Sequence, residues 1–293
     1  MNELVKDKKS FRVRAGLTML VTGILLMVLG MIFAKSVDKD KYEEARKLEN
    51  YAEEYDISSA DTIKISTGVG TYTVIFDENV SQITVNAENA PKEMVRVKQD
   101  GDEIKIGDGS GIFVINNIFN FKEFDKQFKK LASGGFFGFE KGLYGKAKVN
   151  IIIPAKKYEK IDIDGGAGEL TVKNAECEDF TLDSGVGEVT LENIKAEKTD
   201  IDMGVGEITA KDCDLGKLDL DGGVGEANIY GKVGDVDIDG GVGEIALHIN
   251  GSVEDYDIDA EDSDIHGYGS DPTGNKYKIN IDQGLGDCDI YFE

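Results

Sequence analysis

The sequence predicts an all-β chain: a parallel β-solenoid of about 19-residue, three-sided coils, preceded by a transmembrane helix and a short stalk helix. Three observations carry that expectation. A glycine-acid motif returns every 19 residues, its apolar positions keep a fixed parity, and an uncharged run of 20 residues stands near the N-terminus.

The elements follow in chain order. Lys6, Lys8, Lys9, Arg12 and Arg14 form a basic flank, so residues 1–14 are expected to be a cytoplasmic tail. Residues 15–34, AGLTMLVTGILLMVLGMIFA, carry no charge. At ~1.5 Å per residue a helix of that length crosses a hydrocarbon core of ~30 Å. The positive-inside rule then sets everything after residue 35 outside the cell, as a single-pass protein of the cell membrane. A cleaved signal peptide is the rival reading, with Ala34 and Ser36 as small residues at a cleavage site. The apolar run exceeds the usual ~7–15-residue signal core, which favours an uncleaved anchor. No lipobox-like Cys follows.

Residues 35–59 read as a helical stalk, because Tyr42, Ala45, Leu48, Ala52 and Tyr55 recur at three- and four-residue steps. Residues 60–106 read as an N-terminal β segment, alternating in YTVIF, QITV, MVRVK and EIKI. Residues 107–145 form a Phe-rich insertion holding eight of the 13 Phe. In it Phe121, Phe124, Phe128 and Leu131 share one helical face, with Lys122, Lys126, Lys129 and Lys130 elsewhere around it. Such a segment either packs on the solenoid or forms a basic-aromatic lip toward a bilayer or partner.

Residues 146–293 are the repeat array. The marker glycines Gly168, Gly187, Gly206, Gly225 and Gly243 are spaced 19, 19, 19 and 18. Two degenerate copies follow at 257–265 and 280–290, and an outlying early copy sits at 65–74. Within one repeat Phe180, Leu182 and Val186 are even steps apart, as on one strand face. Steps from Val186 to Val189, Leu191 to Ile194 and Ala196 to Thr199 are odd. An odd step moves a side chain to the other face of a straight strand, so the chain is expected to turn there. Gly187-Glu188 and Asn193, with Asn174 and Asp212 beside it, supply turn residues. Stacking would then bury columns such as Leu170/Val189/Ile208 and Val172/Leu191/Ala210. Cys177, Cys213 and Cys288 fall on inward columns, and the first two lie two coils apart, too far for a disulfide.

The Φ-D-x-G-Φ-G-E-Φ-T-Φ units that follow IIIPAKKYEKIDID resemble the "putative adhesin" β-strand-repeat family of bacterial envelope proteins, a domain of unknown function. The resemblance covers roughly residues 60–293. It implies a β-solenoid at the cell envelope behind one membrane segment, with an adhesin-like role or a link to envelope-stress signalling. It supplies no catalytic residues.

The formal net charge is −24, and all of it lies after residue 154. That excludes nucleic acid as a partner, which wants clustered Lys and Arg. The repeat sets carboxylates in columns: Asp164, Asp183, Asp202, Asp221, Asp239, Asp259 and Asp282 in one; Asp162, Asp200, Asp219, Asp237 and Asp257 two residues earlier; Glu169, Glu188, Glu207, Glu226, Glu244, Asp264 and Asp287 at the corner. Neighbours ~4.8 Å apart repel by about 1 kcal/mol even in water. Three offsets stay open: hydrogen bonds from turn amides to the Asp side chains, plain solvation, or a bound cation. For the third, Asp183, Asp202, Asp221, Asp239, Glu188, Glu207 and Glu226 are the Ca²⁺ candidates; no other cofactor is expected. With only His248 and His266 and three Cys, hydrolytic metal and Cys/His-nucleophile chemistry lacks parts. Acid pairs such as Asp162/Asp164 suit a polysaccharide-active β-helix, but nothing singles out one pair. The expected function is a non-enzymatic binding or scaffold module at the bacterial envelope. Its partners are the lipid bilayer, through residues 15–34, and an envelope protein, glycan or cationic ligand. A Ca²⁺-binding acidic repeat protein is the alternative.

Overall fold

The computed structural model describes residues 48–57, 59–91, 94–107, 147–260, 264–266, 276–282 and 284–292. The expected tail, transmembrane helix and nearly all of the Phe-rich insertion lie outside these residues. No described helix is long and apolar enough to cross a membrane.

The described chain is all-β and forms one solenoid-like sheet of 21 strands. At the N-terminal side these are β1 (Leu48–Tyr55), β2 (Thr62–Ser66), β3 (Val69–Asp77), β4 (Ile83–Pro91), β5 (Val97–Asp100), β6 (Glu103–Gly107) and β7 (Lys148–Pro154). The repeats give β8 (Lys157–Asp164), β9 (Ala167–Lys173), β10 (Glu176–Asp183), β11 (Val186–Glu192), β12 (Lys195–Asp202), β13 (Val205–Asp214), β14 (Lys217–Asp221), β15 (Val224–Lys232), β16 (Val236–Asp239) and β17 (Val242–Ile249). The last are β18 (Tyr256–Ala260), β19 (Asp264–His266), β20 (Tyr277–Asp282) and β21 (Leu285–Phe292).

Each repeat stacks on the next in parallel and in register. Cys177 pairs with Ala196, Leu182 with Ile201, Val189 with Ile208 and Leu191 with Ala210. Cys177 and Phe180 are both buried although an odd step separates them, so β10 bends between them. At the next bend Asn174, Asn193 and Asp212 take positive φ of 61°, 53° and 54°, the left-handed region that Asn and Asp tolerate. The columns read as interior are interior: Leu170, Val189, Ile208 and Ala227 are buried, as are Val172, Leu191, Ala210 and Ile229. Tyr158 is buried edge-on to Phe76 and donates its hydroxyl to the Pro154 carbonyl at 2.7 Å. The three Cys are buried and free, and burial pushes the Cys177 thiol up to about 12.

Four expectations need correction. Leu48–Tyr55, assigned to a helical stalk, is a strand antiparallel to β4. Its Tyr51 and Tyr55 fit a two-residue period as well as a four-residue one, and packing on the core outweighs a weak helical stripe. Second, the early copy is not an outlier: β2 and β3 lie directly against β8 and β9.

Third, spatial order departs from chain order at both ends. The coil β2–β3 lies between β6–β7 and β8–β9. The coil β20–β21 lies between β16–β17 and β18–β19. Asp282 therefore follows Asp239 in its column, while Asp259 pairs with Asn280 and Asp264 with Asp289. Both acids, together with Asp257, which pairs with Lys278, leave the columns the plain repeat had given them.

The fourth concerns Val186. It is 58% exposed, with Val205 and Val224 each at 50% and Val242 at 49%. The path of the strand explains this. β11, β13, β15 and β17 run straight from the valine through the following glycine, so the odd step to Val189 and its counterparts sets the valine on the outer face; the chain turns before it, at Ser184–Gly185, and not at Gly187-Glu188.

Candidate functional site

The corner that carries the acidic motif is built from main chain. The amide after each column aspartate donates to the aspartate carbonyl of the next coil: Ser184 N–H to Asp202 O at 2.8 Å, and Met203 N–H to Asp221 O at 2.9 Å. The valine amides do likewise toward the previous coil, Val205 N–H to Gly185 O and Val224 N–H to Gly204 O, both at 2.9 Å. Where a side chain helps, it is a hydroxyl: Thr67 Oγ1 accepts from Gly166 N–H at 2.7 Å and Ser184 Oγ from Gly204 N–H at 2.9 Å. The idea that the Asp carboxylates cap the turn is thus corrected, since carbonyls and hydroxyls take those amides.

Glycine is dictated here by approach. A Cβ on Gly185 would overlap the Gly166 carbonyl oxygen, and one on Gly206 would overlap the Gly187 carbonyl oxygen. Two glycine columns therefore let the coils lie directly on one another at this corner.

Relieved of the turn, the carboxylates face outward in files. Asp164, Asp183, Asp202, Asp221, Asp239 and Asp282 stand in one register. Glu169, Glu188, Glu207, Glu226, Glu244 and Asp287 stand in a second. The exposed valines come between them in four successive coils, with Ala167 at the same position before them and Leu285, 74% exposed, ending the file. The result is a single-file apolar ridge with a carboxylate rail on either side, repeating every ~4.8 Å. Partial burial, then hydrogen bonding with Asp183, holds the Asp202 carboxyl above the usual carboxylate range; Asp221 is held up by burial and by Asp202. The inner file is better matched: Lys64 and Lys160 lie 3.9 and 3.7 Å from Asp162, and Lys198 lies 3.5 Å from Asp200.

The seven acids proposed for Ca²⁺ are thus brought into two parallel files. Among the described residues, no three or more His, Cys, Asp or Glu side chains gather so as to hold a metal ion. The hollow under the corner, lined by Met203, Gly223, Gly225 and Ile245, has a cavity volume of about 20 Å³, room for one water molecule.

The corner is also where residues 108–146 enter the chain. Gly107 pairs with Ser66 in the Asp164 register, and Ala147 accepts the Thr71 amide at 2.9 Å beside Gly70. The Phe- and Lys-bearing stretch itself lies outside the described residues.

Sequence reasoning missed two features. One is the ridge. The other is an aromatic ladder on the flank: Tyr230, His248, Tyr291 and His266 stack with ring centroids 4.2, 4.5 and 4.6 Å apart. His266 Nε2 lies 3.1 Å from Asp289 Oδ1. Tyr230, His248 and Tyr291 each stand five residues after a marker glycine, a visible signal; His266 sits in the displaced coil and shows none.

A family model described as Toastrack DUF4097 matches residues 60–290. A "putative adhesin" from Bacteroides fragilis NCTC 9343 aligns with a TM-score of 0.43 at 14% identity, covering 84% of this chain and 98% of that one. A "putative cell adhesion protein" from Clostridium sporogenes ATCC 15579 gives 0.35 at 13% identity, covering 84% and 100%. A "putative adhesin" from Parabacteroides distasonis ATCC 8503 gives 0.40 at 12% identity, covering 85% and 98%. No curated protein matches the chain.

Proposed function

This chain belongs to the Toastrack DUF4097 family, a domain of unknown function, and on that premise we propose that it is a membrane-anchored binding module of the bacterial envelope. In this reading residues 15–34 cross the membrane once, residues 1–14 stay in the cytoplasm, and a three-sided parallel β-solenoid stands outside. Binding is adhesin-like and non-enzymatic.

One observation carries the reading: the same outward corner, acid–x–glycine–valine–glycine–acid, is presented again in four successive coils. Catalysis needs one place that differs from the rest, with convergent groups around a reacting atom. Recognition of an extended partner needs the opposite, a stiff surface of repeated identical contacts. The small hollow beneath the corner offers no cleft for a sugar.

Two measurements test it. A Cys introduced at the exposed Ser59 of the full chain reacts with a membrane-impermeant thiol reagent on intact, wall-stripped cells. Reaction only after lysis overturns the outside placement. Cells expressing the full chain adhere to immobilised cell-wall or matrix material severalfold more than vector controls. Equal adherence overturns the binding role.

A further inference from the structure

The valine column needs an explanation that the fold does not provide. Val186, Val205, Val224 and Val242 stand outside the interior columns and are about half exposed. A polar β-branched residue such as Thr would serve the strand equally. Scattered exposed valines mean little, but these align over successive coils into one continuous line. The line is bounded on both sides by carboxylates, and on one side partial burial and the neighbouring aspartates raise the Asp202 and Asp221 carboxyls.

The complement of this surface is narrow and specific. It is an apolar line with cations on both sides. A β-strand sends successive side chains to opposite faces, so it cannot flank an apolar row with cations on the same face. A helix with apolar residues at three- and four-residue steps and Lys or Arg on both borders can. Its turns rise ~5.4 Å, close to the ~4.8 Å between coils. A second copy of this acidic chain is disfavoured, because its rails would face like charge.

We propose that the valine ridge and its two carboxylate rails dock a cationic amphipathic helix of a partner protein, laid along the stack. The proposal rests on the binding-module reading and names its surface. The charge rails set the approach and the ridge supplies the contact that distinguishes an apolar stripe from bare positive charge.

The test is fluorescence anisotropy on the full chain with a labelled synthetic peptide of about three heptads, Leu at a and d and Lys at e and g. It binds about tenfold more tightly than a control with Ser at a and d, and a control with Glu at e and g does not bind. Val186→Ser with Val205→Ser, Val224→Ser and Val242→Ser removes that tenfold preference while circular dichroism and melting stay as in the wild type. Asp183→Asn with Asp202→Asn, Asp221→Asn and Asp239→Asn weakens the Leu and Ser peptides alike. Equal binding of the Leu and Ser peptides to wild type overturns the ridge. A dimer in sedimentation that the serine variant dissolves overturns the partner in favour of a second copy. A gain of fivefold or more in peptide affinity on changing Lys122, Lys126, Lys129 and Lys130 to Gln assigns the ridge to the chain's own basic segment and overturns it likewise. Lost adherence in the cell assay with peptide binding intact removes the adhesion reading and leaves this surface standing.

Discussion

Val186 and Val189 stand three residues apart in one repeat, yet the first is 58% exposed and the second 7%. Both belong to columns that run through successive coils. The inner column is held by packing, since one coil cannot bury its own apolar side and must borrow the next. The corner column is held by nothing but the path of the backbone between two glycines. Residue type does not distinguish the two columns; their different causes do. Apolar character inside is required by the fold, and apolar character at the corner is available for something else.

Substitutions sharpen that contrast. The largest effect is expected at Ile208, 1% exposed in the inner column: Ile208→Asp buries an unpaired charge and should cost at least ~4 kcal/mol in chemical denaturation of the full chain. Next is Gly206→Ala, whose Cβ has no room beside the Gly187 carbonyl and whose φ of 143° suits only glycine. It should cost roughly 2–4 kcal/mol by the same measurement. Val205→Asp, in the corner column, should stay within about 1 kcal/mol, the residue being mainly an added like charge between the rails. A loss as large as that of Ile208→Asp would break the comparison.

The smallest effect has the opposite sign. Asp202 has its folded pKa raised, chiefly by burial and by the Asp183 carboxyl. Below the unfolded carboxylate value of about 3.9 both states are protonated and nothing is lost. As pH rises from there through the raised folded value, the folded state is increasingly penalised. Asp202→Asn should therefore raise the melting midpoint by roughly 1–3 °C at neutral pH and leave it unchanged below about pH 4. A gain that persists in acid would show that charge is not its cause.

The interior was legible because period and parity reinforce each other: Leu191 and Ala210 can only be neighbours if 19 residues make one turn, and the structure pairs them. The positive-φ bend at Asn193 was legible because few residues tolerate it. The outward valines were not, because parity alone does not say where the chain turns: a bend at Gly187 would bring Val186 and Val189 to one side, and the chain turns instead before Val186. Tyr51 and Tyr55 misled because a spacing of four satisfies helix and strand equally. The acids were assigned to their columns correctly wherever copies were regular. Asp257, Asp259 and Asp264 went astray because position along the chain was taken for position in the stack.

That last mismatch reaches into synthesis and truncation. The segment 62–77 is made early, yet one of its neighbours begins near Lys157, with Ser66 and Asp164 separated by 98 positions. It must wait, open-edged, while the chain between is completed, and long-range pairing of this kind is slow. The regular coils after it can zip up in the order they emerge. At the other end, among the described strands, β18 and β19 pair only with β20 and β21, which slide in beneath them. A stop codon at position 277 would delete one layer from the gene and remove two from the protein.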